Sequence, residues 1–398
     1  MNDRAALELL LAHGELSRAQ IGRLTGLSKP TASQMLARLE DAGLVVESGT
    51  SAGHRGPGAV LYTVNGAAGY AAGLDVTPGL ITAAVADLSG RTLGTYELAR
   101  PERLGPEVRQ VEAALAGAAR AAGLAPEALN RVVIGTPLAF DPKDGRLRYP
   151  SHLTGWRSPT LAAEFAEGLP VPVRCENDVN LVAVAEHRSG AARGRDDFFL
   201  LWNEEGIGGA LVFGGRLHRG RSGGAGEVGF MPVPGTPLVR DVDAAQTGGY
   251  QDLAGCQAVP RIAERLGLDY CADIEALRPR GGRPAQHSVL RVATAVVEHA
   301  ARAEDGPYRA LLEEFAAGVA TGLASITAVL DPELVVLCGG VMLAGGEPLR
   351  ELVEAELAGL SVCRPPLVLG EIRERPVLRG ALEEALTAVR DEVFDTSR

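Results

Sequence analysis

The chain has 398 residues and a formal net charge of −11 at pH 7. This length allows two or three domains, and the acidic balance excludes a protein that coats nucleic acid with its whole surface. No uninterrupted apolar run of about 18 residues occurs, so we expect no membrane span. The N-terminus has no charged start followed by an apolar core, so we expect no export. Five scattered cysteines without a C-x-x-C pair indicate reduced thiols in the cytoplasm.

The first 65 residues have the pattern of a small helical domain. Ser17 and Gln20 match a capping box, which starts a second helix that is expected to bury Ile21 and Leu24. Ser28 is placed to cap a third helix. The buried face of that third helix is predicted by four apolar residues at helical spacing, namely Ala32, Met35, Leu36 and Leu39.

The second and third helices are joined by a tight turn at 25–27, which is typical of a helix-turn-helix. The other face of the third helix carries short polar and basic side chains, which suit base edges and phosphates of the major groove. The residues predicted to contact DNA are Ser28, Lys29, Thr31, Ser33, Gln34 and Arg38. The alternative interpretation is a three-helix bundle used for dimerisation, whose polar face is merely solvated.

A predicted wing follows the third helix. Two strands at 44–46 and 61–64 flank the glycine- and proline-rich loop 51–58, and Arg55 lies at its tip. We predict that Arg55 enters a minor groove, because narrow A·T-rich grooves attract arginine. An ordinary surface arginine is the alternative. Acidic and basic residues balance in the first 65 positions, so DNA affinity must depend on where the charges lie and must fall with salt.

Residues 70–398 alternate apolar strands with helices, which predicts the α/β class with two lobes, each a sheet covered by helices. A ligand is expected in the cleft between the lobes. The predicted strands are 72–75, 80–87, 131–135, 171–175, 198–202, 210–213 and 333–340, and the clearest helices are 107–122 and 178–190. The predicted domains are 1–65 for the head, 70–190 and 191–375 for the lobes, and 376–398 for a C-terminal helix on the first lobe.

Six short motifs, taken in order, resemble the ROK family (repressors, open reading frames and kinases) across essentially the whole chain. They are R-G-P at 55–57, G-W at 155–156, E-N-D at 176–178, G-I-G-G at 206–209, G-E-V-G at 226–229 and C-G-G at 338–340. The resemblance implies a winged helix-turn-helix head, which the family's repressors carry, fused to a two-lobed actin-like ATPase body. It also implies a dimer or tetramer that binds a sugar between its lobes.

The resemblance further implies which residues contact a sugar. Asp178 matches the carboxylate that deprotonates the sugar hydroxyl in family kinases, and Asn177 and Glu227 match hydroxyl ligands. Asp252 takes the place of a second sugar-binding glutamate with one methylene fewer, and Phe230 replaces the histidine of E-x-G-H. For Asn177 and Asp178, a helix N-cap at a strand–helix junction is an alternative that is compatible with a sugar contact.

Two departures from the family pattern argue against a kinase. Thr77, Pro78 and Gly79 occupy the positions of the glycine-rich phosphate loop, where proline has no N–H to donate and threonine narrows the approach. Glu204 and Glu205 replace Gly-Thr beside the γ-phosphate, and two carboxylates there would repel a triphosphate. We therefore expect no ATP cofactor and no catalytic residue.

A third departure concerns the structural zinc that the family often holds with one histidine and three cysteines. Phe230 stands at the histidine, and the most natural alignment places Asp243, Ala245 and Tyr250 at the cysteines. One carboxylate without a thiolate cannot form a tetrahedral zinc site. We therefore expect no metal.

These features favour a cytoplasmic transcriptional regulator, a homodimer or homotetramer that acts most simply as a repressor. It is expected to bind double-stranded operator DNA and to respond to a sugar or sugar derivative. One alternative is a sugar kinase with an accessory DNA-binding head. Another is a regulator whose body serves only for oligomerisation. Because Phe230 replaces a sugar-contacting histidine, there are two interpretations of the pocket: it binds an unusual ligand, or it has lost ligand binding.

Overall fold

The computed structural model describes residues 2–51, 58–100, 106–141, 160–240, 248–277 and 288–395, together with Lys143, Trp156 and Ser158. The described helices are α1 (Asn2–His13), α2 (Arg18–Thr25), α3 (Lys29–Asp41), α4 (Glu107–Ala121), α5 (Leu161–Gly168), α6 (Asp178–Ser189), α7 (Gly249–Ala254), α8 (Ala258–Arg265), α9 (Tyr270–Asp273), α10 (Val289–Ala300), α11 (Gly306–Leu330), α12 (Gly340–Leu360) and α13 (Pro376–Val393). The described strands are β1 (Leu16–Ser17), β2 (Val45–Thr50), β3 (Val60–Val64), β4 (Tyr70–Val76), β5 (Leu80–Asp87), β6 (Thr92–Ala99), β7 (Arg131–Thr136), β8 (Val173–Asn177), β9 (Phe198–Asn203), β10 (Ile207–Phe213), β11 (Arg216–Leu217), β12 (Leu334–Cys338) and β13 (Leu367–Leu369).

The chain divides into two compact units. The first consists of residues 1–137, 152–176 and 378–398, and the second consists of residues 138–151 and 177–377. The head and one five-stranded sheet belong to the first unit, and the other five-stranded sheet belongs to the second. The finer boundaries predicted from the sequence, at 65, 190 and 375, stay predictions.

The head is built as its capping residues require. Ser17 and Gln20 form the predicted capping box of α2, and Gly26 ends that helix in the left-handed conformation. Helix α2 packs on α3 at Gly22, where a Cβ would make ordinary van der Waals contacts with the Leu27 carbonyl oxygen at 3.4 Å and the Ala32 Cβ at 3.5 Å. The strands form a small sheet in the order β1-β3-β2.

Two features of the head differ from the sequence prediction. Strand β1 was not predicted, because its two residues show no periodicity and pair only with the distant β3, Leu16 opposite Tyr62. The expected burial of Leu24 is wrong, since this side chain is 46% exposed. The inner face of α2 is formed instead by Ile21 and Gly22. Leu24 lies off this face and is turned outward.

In the first unit, the five-stranded sheet has the order β6-β5-β4-β7-β8. Strands β4, β5 and β6 are antiparallel neighbours, while β4 and β7 are parallel. Helix α13 packs directly on β4, where a Cβ at Gly73 would lie 2.7 Å from the backbone nitrogen of Leu382. The side chain of Arg390 donates to the carbonyl oxygen of Leu88, with the shorter N···O distance 3.1 Å. These contacts attach the C-terminal helix to the first sheet.

In the second unit, the sheet has the order β11-β10-β9-β12-β13, with β9, β12 and β13 parallel. Its core contains α10, α11 and α12. Within the described residues, α11 is the helix whose length and composition would also suit a membrane span. Its apolar side chains, such as Phe315 and Leu323, are fully buried in this core. The core position therefore accounts for its composition.

A buried carboxylate fixes the far end of α6, whose N-terminus carries predicted ligand residues. Glu186 is fully buried and accepts hydrogen bonds from the backbone N–H groups of Ala191 (2.7 Å), Glu371 (3.2 Å) and Ile372 (2.9 Å). Three N–H donors supply the hydrogen bonds that a buried charge requires. Helix α6 is thereby anchored to the loop after β13.

Candidate DNA interface and effector site

Helix α3 presents the predicted DNA-contacting face to solvent. The four apolar residues predicted for its inner face are all buried. Ser28, Lys29, Thr31, Gln34 and Arg38 are exposed, and Ser33 is half-buried. Ser28 caps the helix, since its Oγ accepts from the Thr31 N–H at 3.4 Å and lies 2.8 Å from the Thr31 Oγ1. Lys29 and Gln34 thus stand at the N-terminal half of a well-capped helix, which is the half that a helix-turn-helix places in the major groove.

Two residues of this face also have partners inside the head. Arg38 donates to Asp3 of α1 at 2.7 Å, which ties the C-terminal half of α3 to the first helix. Ser33 accepts from the guanidinium of Arg18 at 3.3 Å. Arg18 is not among the residues that the sequence predicts to contact DNA, because it precedes the recognition helix by eleven positions. Its second contact, to the Tyr62 hydroxyl at 2.9 Å, spans 44 residues and leaves no local sequence signal.

The predicted wing strands correspond to β2 and β3, which pair antiparallel with a register shift between Glu47 and Gly49. The base of the connecting loop is closed by the Ser51 N–H, which donates to the Ala59 carbonyl oxygen at 2.8 Å. Arg55 lies outside the described residues, so its minor-groove contact stays a prediction.

Asn177 and Asp178 lie where β8 ends and α6 begins. The Asn177 Oδ1 accepts from the N–H groups of Val179 (3.0 Å) and Asn180 (3.3 Å), as an N-cap does. The Asp178 Oδ1 accepts from the Val179 N–H at 2.8 Å. Capping is therefore part of what these residues do, and it holds both side chains at the start of the helix. Their contact with a sugar stays a prediction.

Glu227 and Phe230 lie at a short 3-10 turn, 228–230, that is pinned to β10. The Gly209 N–H donates to the Gly226 carbonyl oxygen at 2.8 Å, and a Cβ at Gly226 would lie only 2.0 Å from the Gly209 oxygen. Gly226 also has a φ of 98°, so only glycine fits there. The turn leaves Phe230 38% exposed. Glu227 is accessible to solvent as well, and partial desolvation by the surrounding protein raises the pKa of its carboxyl.

Asp252 lies on α7 and is held by an arginine. Its carboxylate accepts from Arg261 of α8 at 2.5 Å and is 14% exposed. Arg261 also donates to the backbone carbonyl oxygen of Asp252. The charge of Asp252 is therefore already compensated within the chain. A sugar hydroxyl would have to share this carboxylate with a guanidinium.

The segments that carry these five predicted residues adjoin one another within the second unit. A Cβ at Gly208 of β10 would lie 3.1 Å from Val179 at the start of α6. On the next residue of β10, Gly209, the turn with Glu227 and Phe230 is attached. The start of α7 packs on the same turn, since a Cβ at Gly249 would lie 2.9 Å from the Gly229 carbonyl oxygen. The start of α6, β10, the turn 228–230 and α7 thus form one contiguous region.

The hairpin at the expected phosphate position is bonded to the chain itself. The Thr77 N–H and hydroxyl both donate to the Leu80 carbonyl oxygen, at 2.9 and 3.0 Å. The carbonyl oxygen of Thr77 accepts from the guanidinium of Arg100 at 2.7 Å, and that of Gly79 accepts from the Arg100 N–H at 2.9 Å. Pro78 has no N–H, the Thr77 N–H is already bonded to Leu80, and Arg100 holds two carbonyl oxygens. This hairpin is therefore poorly suited to bind a phosphate.

Glu204 places a carboxylate at the N-terminus of α12. Its Oε1 accepts from the Gly340 N–H at 2.7 Å. The pKa of the Glu204 carboxyl is raised mainly by desolvation and also by the charge of Glu205, while the Gly340 hydrogen bond lowers it. Gly339 brings β9 and α12 together, since a Cβ there would lie 2.3 Å from the Asn203 carbonyl oxygen. Helix N-termini bind anions, and here the chain's own carboxylate occupies that position.

Tyr250, for which the sequence predicts the position of a zinc cysteine, has a packed aromatic ring. It is fully buried, and its hydroxyl donates to the Val319 carbonyl oxygen of α11 at 2.7 Å. A Cβ at Gly322 would lie 2.2 Å from the ring, so the ring lies directly against the helix backbone. Asp243 and Ala245 lie outside the described residues. Within the part of the chain that the structure describes, no group of three potential metal ligands is found.

Comparisons with known proteins identify both parts of the chain. The ROK family model matches residues 71–382, and the MarR family model matches residues 3–56. The chain is 30% identical over 237 residues to the xylose repressor of Bacillus subtilis, a match that covers 58% of this chain and 60% of that protein. The predicted fold class, a winged helix-turn-helix fused to an actin-like ROK body, is thereby confirmed.

Two solved structures illustrate the likeness. A ROK family transcriptional regulator, described as a homologue of the E. coli MLC protein, has a TM-score of 0.72 at 18% identity and covers 99% of this chain and 97% of its own. A ROK family glucokinase from Streptomyces griseus, in complex with glucose and AMPPNP, has a TM-score of 0.63 at 26% identity and covers 80% and 100%. The regulator shares the fold over nearly the full length, whereas the kinase leaves a fifth of this chain unmatched.

Proposed function

Because the chain belongs to the ROK family and carries a MarR-type winged helix, we propose that it is a sugar-responsive transcriptional repressor. The observation that carries this proposal is the exposed, capped polar face of α3 on a head joined to a sugar-kinase-like body. In the proposed mechanism, α3 enters the major groove of an operator and a sugar bound by the body changes the affinity for DNA. A homodimer in the cytoplasm, reading two half-sites, completes the proposal.

The effector site is proposed in the contiguous region of the second unit. Asn177 and Asp178 at the start of α6 and Glu227 on the adjoining turn supply the oxygen and nitrogen atoms that hydroxyl groups need. Phe230 offers a partly exposed ring, which suits the apolar face of a sugar. Asp252 is the weakest member of the set, because Arg261 already holds its carboxylate. Xylose is the first sugar to test, given the name of the Bacillus subtilis relative.

Absence of kinase activity is part of the proposal. Glu204 places a carboxylate at the N-terminus of α12, where an anion would otherwise be favoured, and the Thr77 hairpin is hydrogen-bonded to Leu80 and Arg100. Asp178 would then serve to bind a sugar hydroxyl without transferring a phosphate to it. The kinase alternative requires that both the Glu204 carboxylate and the Thr77 hairpin change position to admit a nucleotide.

A physical route from body to head runs through the first unit. Asn65 donates to the Gly43 carbonyl oxygen of the head at 2.7 Å. The next residue, Gly66, accepts from the Leu88 N–H of the sheet at 3.1 Å. In addition, Asp391 near the end of α13 pairs with Arg4 of α1 at 2.5 Å. Residues 65–66 are thus hydrogen-bonded to the head on one side and to the sheet on the other. In the proposed mechanism, they transmit a displacement of the sheet to α1 and α3.

The first test uses the wild-type chain to select a DNA duplex from a random-sequence pool. Binding of this duplex is then measured with and without each member of a panel of pentoses, hexoses and their phosphates. We expect one sugar to raise the melting temperature and to weaken DNA binding by about 5–150-fold, the usual range of allosteric coupling. Ligand-free binding of DNA with no sugar response at millimolar concentration would favour the scaffold alternative.

Replacing Glu227 by glutamine separates ligand binding from stability. Desolvation raises the pKa of this carboxyl above 4.5 in the folded state. Its contribution to stability is therefore complete below pH 4.5 and is lost as the pH rises through the folded pKa. We expect Glu227→Gln to raise the melting temperature slightly at pH 7, with no gain near pH 4, and to abolish the sugar-induced shift.

The matched control for Glu227→Gln is Glu356→Gln, an exposed residue of α12 in the same unit. This change is expected to leave both the melting temperature and the sugar-induced shift unchanged. A Glu227→Gln chain that keeps the full shift would remove Glu227 from the proposed site.

Neutralising Glu204 and Glu205 tests the obstacle to nucleotides. We expect no measurable ADP binding by the wild-type chain at millimolar concentration. The double change Glu204→Gln and Glu205→Gln should improve ADP affinity by about tenfold or more, because it removes two charges near a diphosphate. Isothermal titration calorimetry measures this, with Glu351→Gln and Glu356→Gln as the control pair.

The kinase alternative has its own decisive result. ATP-dependent phosphorylation of a sugar by the wild-type chain, lost in Asp178→Asn, would replace the repressor proposal with that of an enzyme. Improved ADP affinity without turnover in the double variant would agree with a binding protein whose nucleotide site is closed.

A further inference from the structure

The head contains an exposed cation at the junction of three elements. Arg18 is the first residue of α2, directly after its N-cap Ser17. Its guanidinium donates to the Ser33 Oγ of α3 at 3.3 Å and to the Tyr62 hydroxyl of β3 at 2.9 Å. It also lies over the Tyr62 ring, 5.9 Å from the centroid. One side chain therefore connects the first helix of the helix-turn-helix, the second helix and the wing sheet.

The anchor on the wing side is rigid. The Tyr62 side chain is buried, with the residue 1% exposed, and its position is fixed by pairing with Leu16 in β1. The hydroxyl of this buried ring accepts the hydrogen bond from Arg18. Arg18 thus links the orientation of α3 to that of the sheet, because its other hydrogen bond is to Ser33 of α3.

The charge of Arg18 is not neutralised by these two partners. Both acceptors are neutral hydroxyl oxygens, whereas Arg4 and Arg38 of the same head pair with the carboxylates of Glu8 and Asp3. A guanidinium has more N–H donors than these two contacts use, and arginine is well suited to phosphate.

The position of the cation suits a DNA backbone. Ser33 lies one turn along α3 from Lys29 and next to Gln34, so Arg18 borders the predicted DNA-contacting face. In a helix-turn-helix, the first helix crosses the phosphate backbone while the second enters the major groove. The first residue of α2 is therefore next to the phosphates when α3 is in the groove.

We propose that Arg18 contacts a DNA phosphate and at the same time sets the orientation of α3 on the wing sheet. This inference rests on the proposed DNA-binding function. The phosphate contact contributes to affinity for any sequence. The bridge from Ser33 to Tyr62 contributes to discrimination between sequences, because it fixes how Gln34 and its neighbours meet base edges.

The test uses the full chain and two duplexes of equal length, one selected by the wild-type chain and one of scrambled sequence. Dissociation constants are measured over a series of salt concentrations. We expect Arg18→Gln to weaken binding of both duplexes about tenfold and to reduce the slope of log affinity against log salt by about one. We expect Arg18→Lys to restore the slope, because the charge returns, but not the ratio between the two duplexes.

One further variant isolates the bridge. Tyr62→Phe removes the hydrogen bond from Arg18 to β3 and keeps the charge, so it should lower the ratio between the duplexes and leave the salt slope unchanged. Arg120→Gln, an exposed residue of α4, is the control for loss of one positive charge and should change neither.

An Arg18→Gln chain with the wild-type salt slope overturns the inference, whatever happens to its melting temperature. If the wild-type chain prefers the selected duplex in that case, the repressor proposal survives without Arg18. A wild-type chain that binds neither duplex overturns both.

Discussion

Replacing Lys29 and Gln34 together by alanine is expected to weaken binding of the selected duplex by about 100-fold. Lys29 begins α3, where its charge suits a phosphate, and Gln34 lies five residues further along the same helix, where its exposed amide suits the edge of adenine. Base contacts of this kind contribute about 1–3 kcal/mol each. Fluorescence anisotropy with labelled duplex at fixed salt measures the effect.

The two single variants should differ in kind. Lys29→Ala should weaken the selected and the scrambled duplex alike and lower the salt slope, whereas Gln34→Ala should weaken mainly the selected duplex. Both residues are exposed, so the melting temperature should remain within the range of ordinary surface changes.

The control variant carries His13→Ala at the end of α1 and Glu15→Ala just after it, two exposed positions that are not predicted to contact DNA. It should bind as the wild-type chain does. If the Lys29 and Gln34 double variant also binds as the wild-type chain does, α3 is not the recognition helix, and the three-helix dimerisation domain becomes the better interpretation of the head.

The local features of the fold could be predicted from the sequence because they depend on short-range physics. The capping box at Ser17, the cap at Ser28 and the buried stripe of α3 each need only residues within one or two helical turns. The strands of the body were found for the same reason, since runs such as 198–202 are apolar over their whole length and are buried in the core.

Other features could not be predicted because they join distant parts of the chain. The pairing of β1 with β3, the bridge from Arg18 to Tyr62 and the ion pair between Arg38 and Asp3 all depend on how α1, α2 and the sheet come together. The hydrogen bond from the Gly340 N–H to Glu204 spans 136 residues. The charge of Glu204 predicts repulsion of nucleotides. Its position at the N-terminus of α12 is seen only in the folded structure.

The departures from the kinase pattern are accompanied by new contacts. Glu204 accepts a helix N–H, the Thr77 hydroxyl closes its hairpin, and Tyr250 fills space against α11. Each of these side chains therefore has a partner within the chain itself. Phe230 is different, because a large apolar side chain left 38% exposed beside Glu227 stabilises little by itself. Its contact with a sugar stays part of the proposal.

Replacing Tyr250 by alanine is expected to lower the free energy of unfolding by about 3–5 kcal/mol, since it removes a fully buried aromatic ring. The ring joins the start of α7 to the backbone of α11. Tyr250→Phe keeps the ring and loses the hydrogen bond to Val319, so it should cost only about 1 kcal/mol. Calorimetric unfolding of the full chain, with and without EDTA, measures both, and EDTA should change neither the wild type nor the variants.

Gly322 supplies the matched test of this packing. Gly322→Ala alone should destabilise the chain, because the new methyl group would collide with the Tyr250 ring. In the Tyr250→Ala background the same change should be harmless or slightly stabilising, since the collision is gone and alanine favours a helix over glycine by about 1 kcal/mol. Equal effects of Gly322→Ala in both backgrounds would show that the ring does not lie on α11. About one zinc per chain by elemental analysis would show that a metal still joins this loop and that the alignment at Tyr250 is wrong.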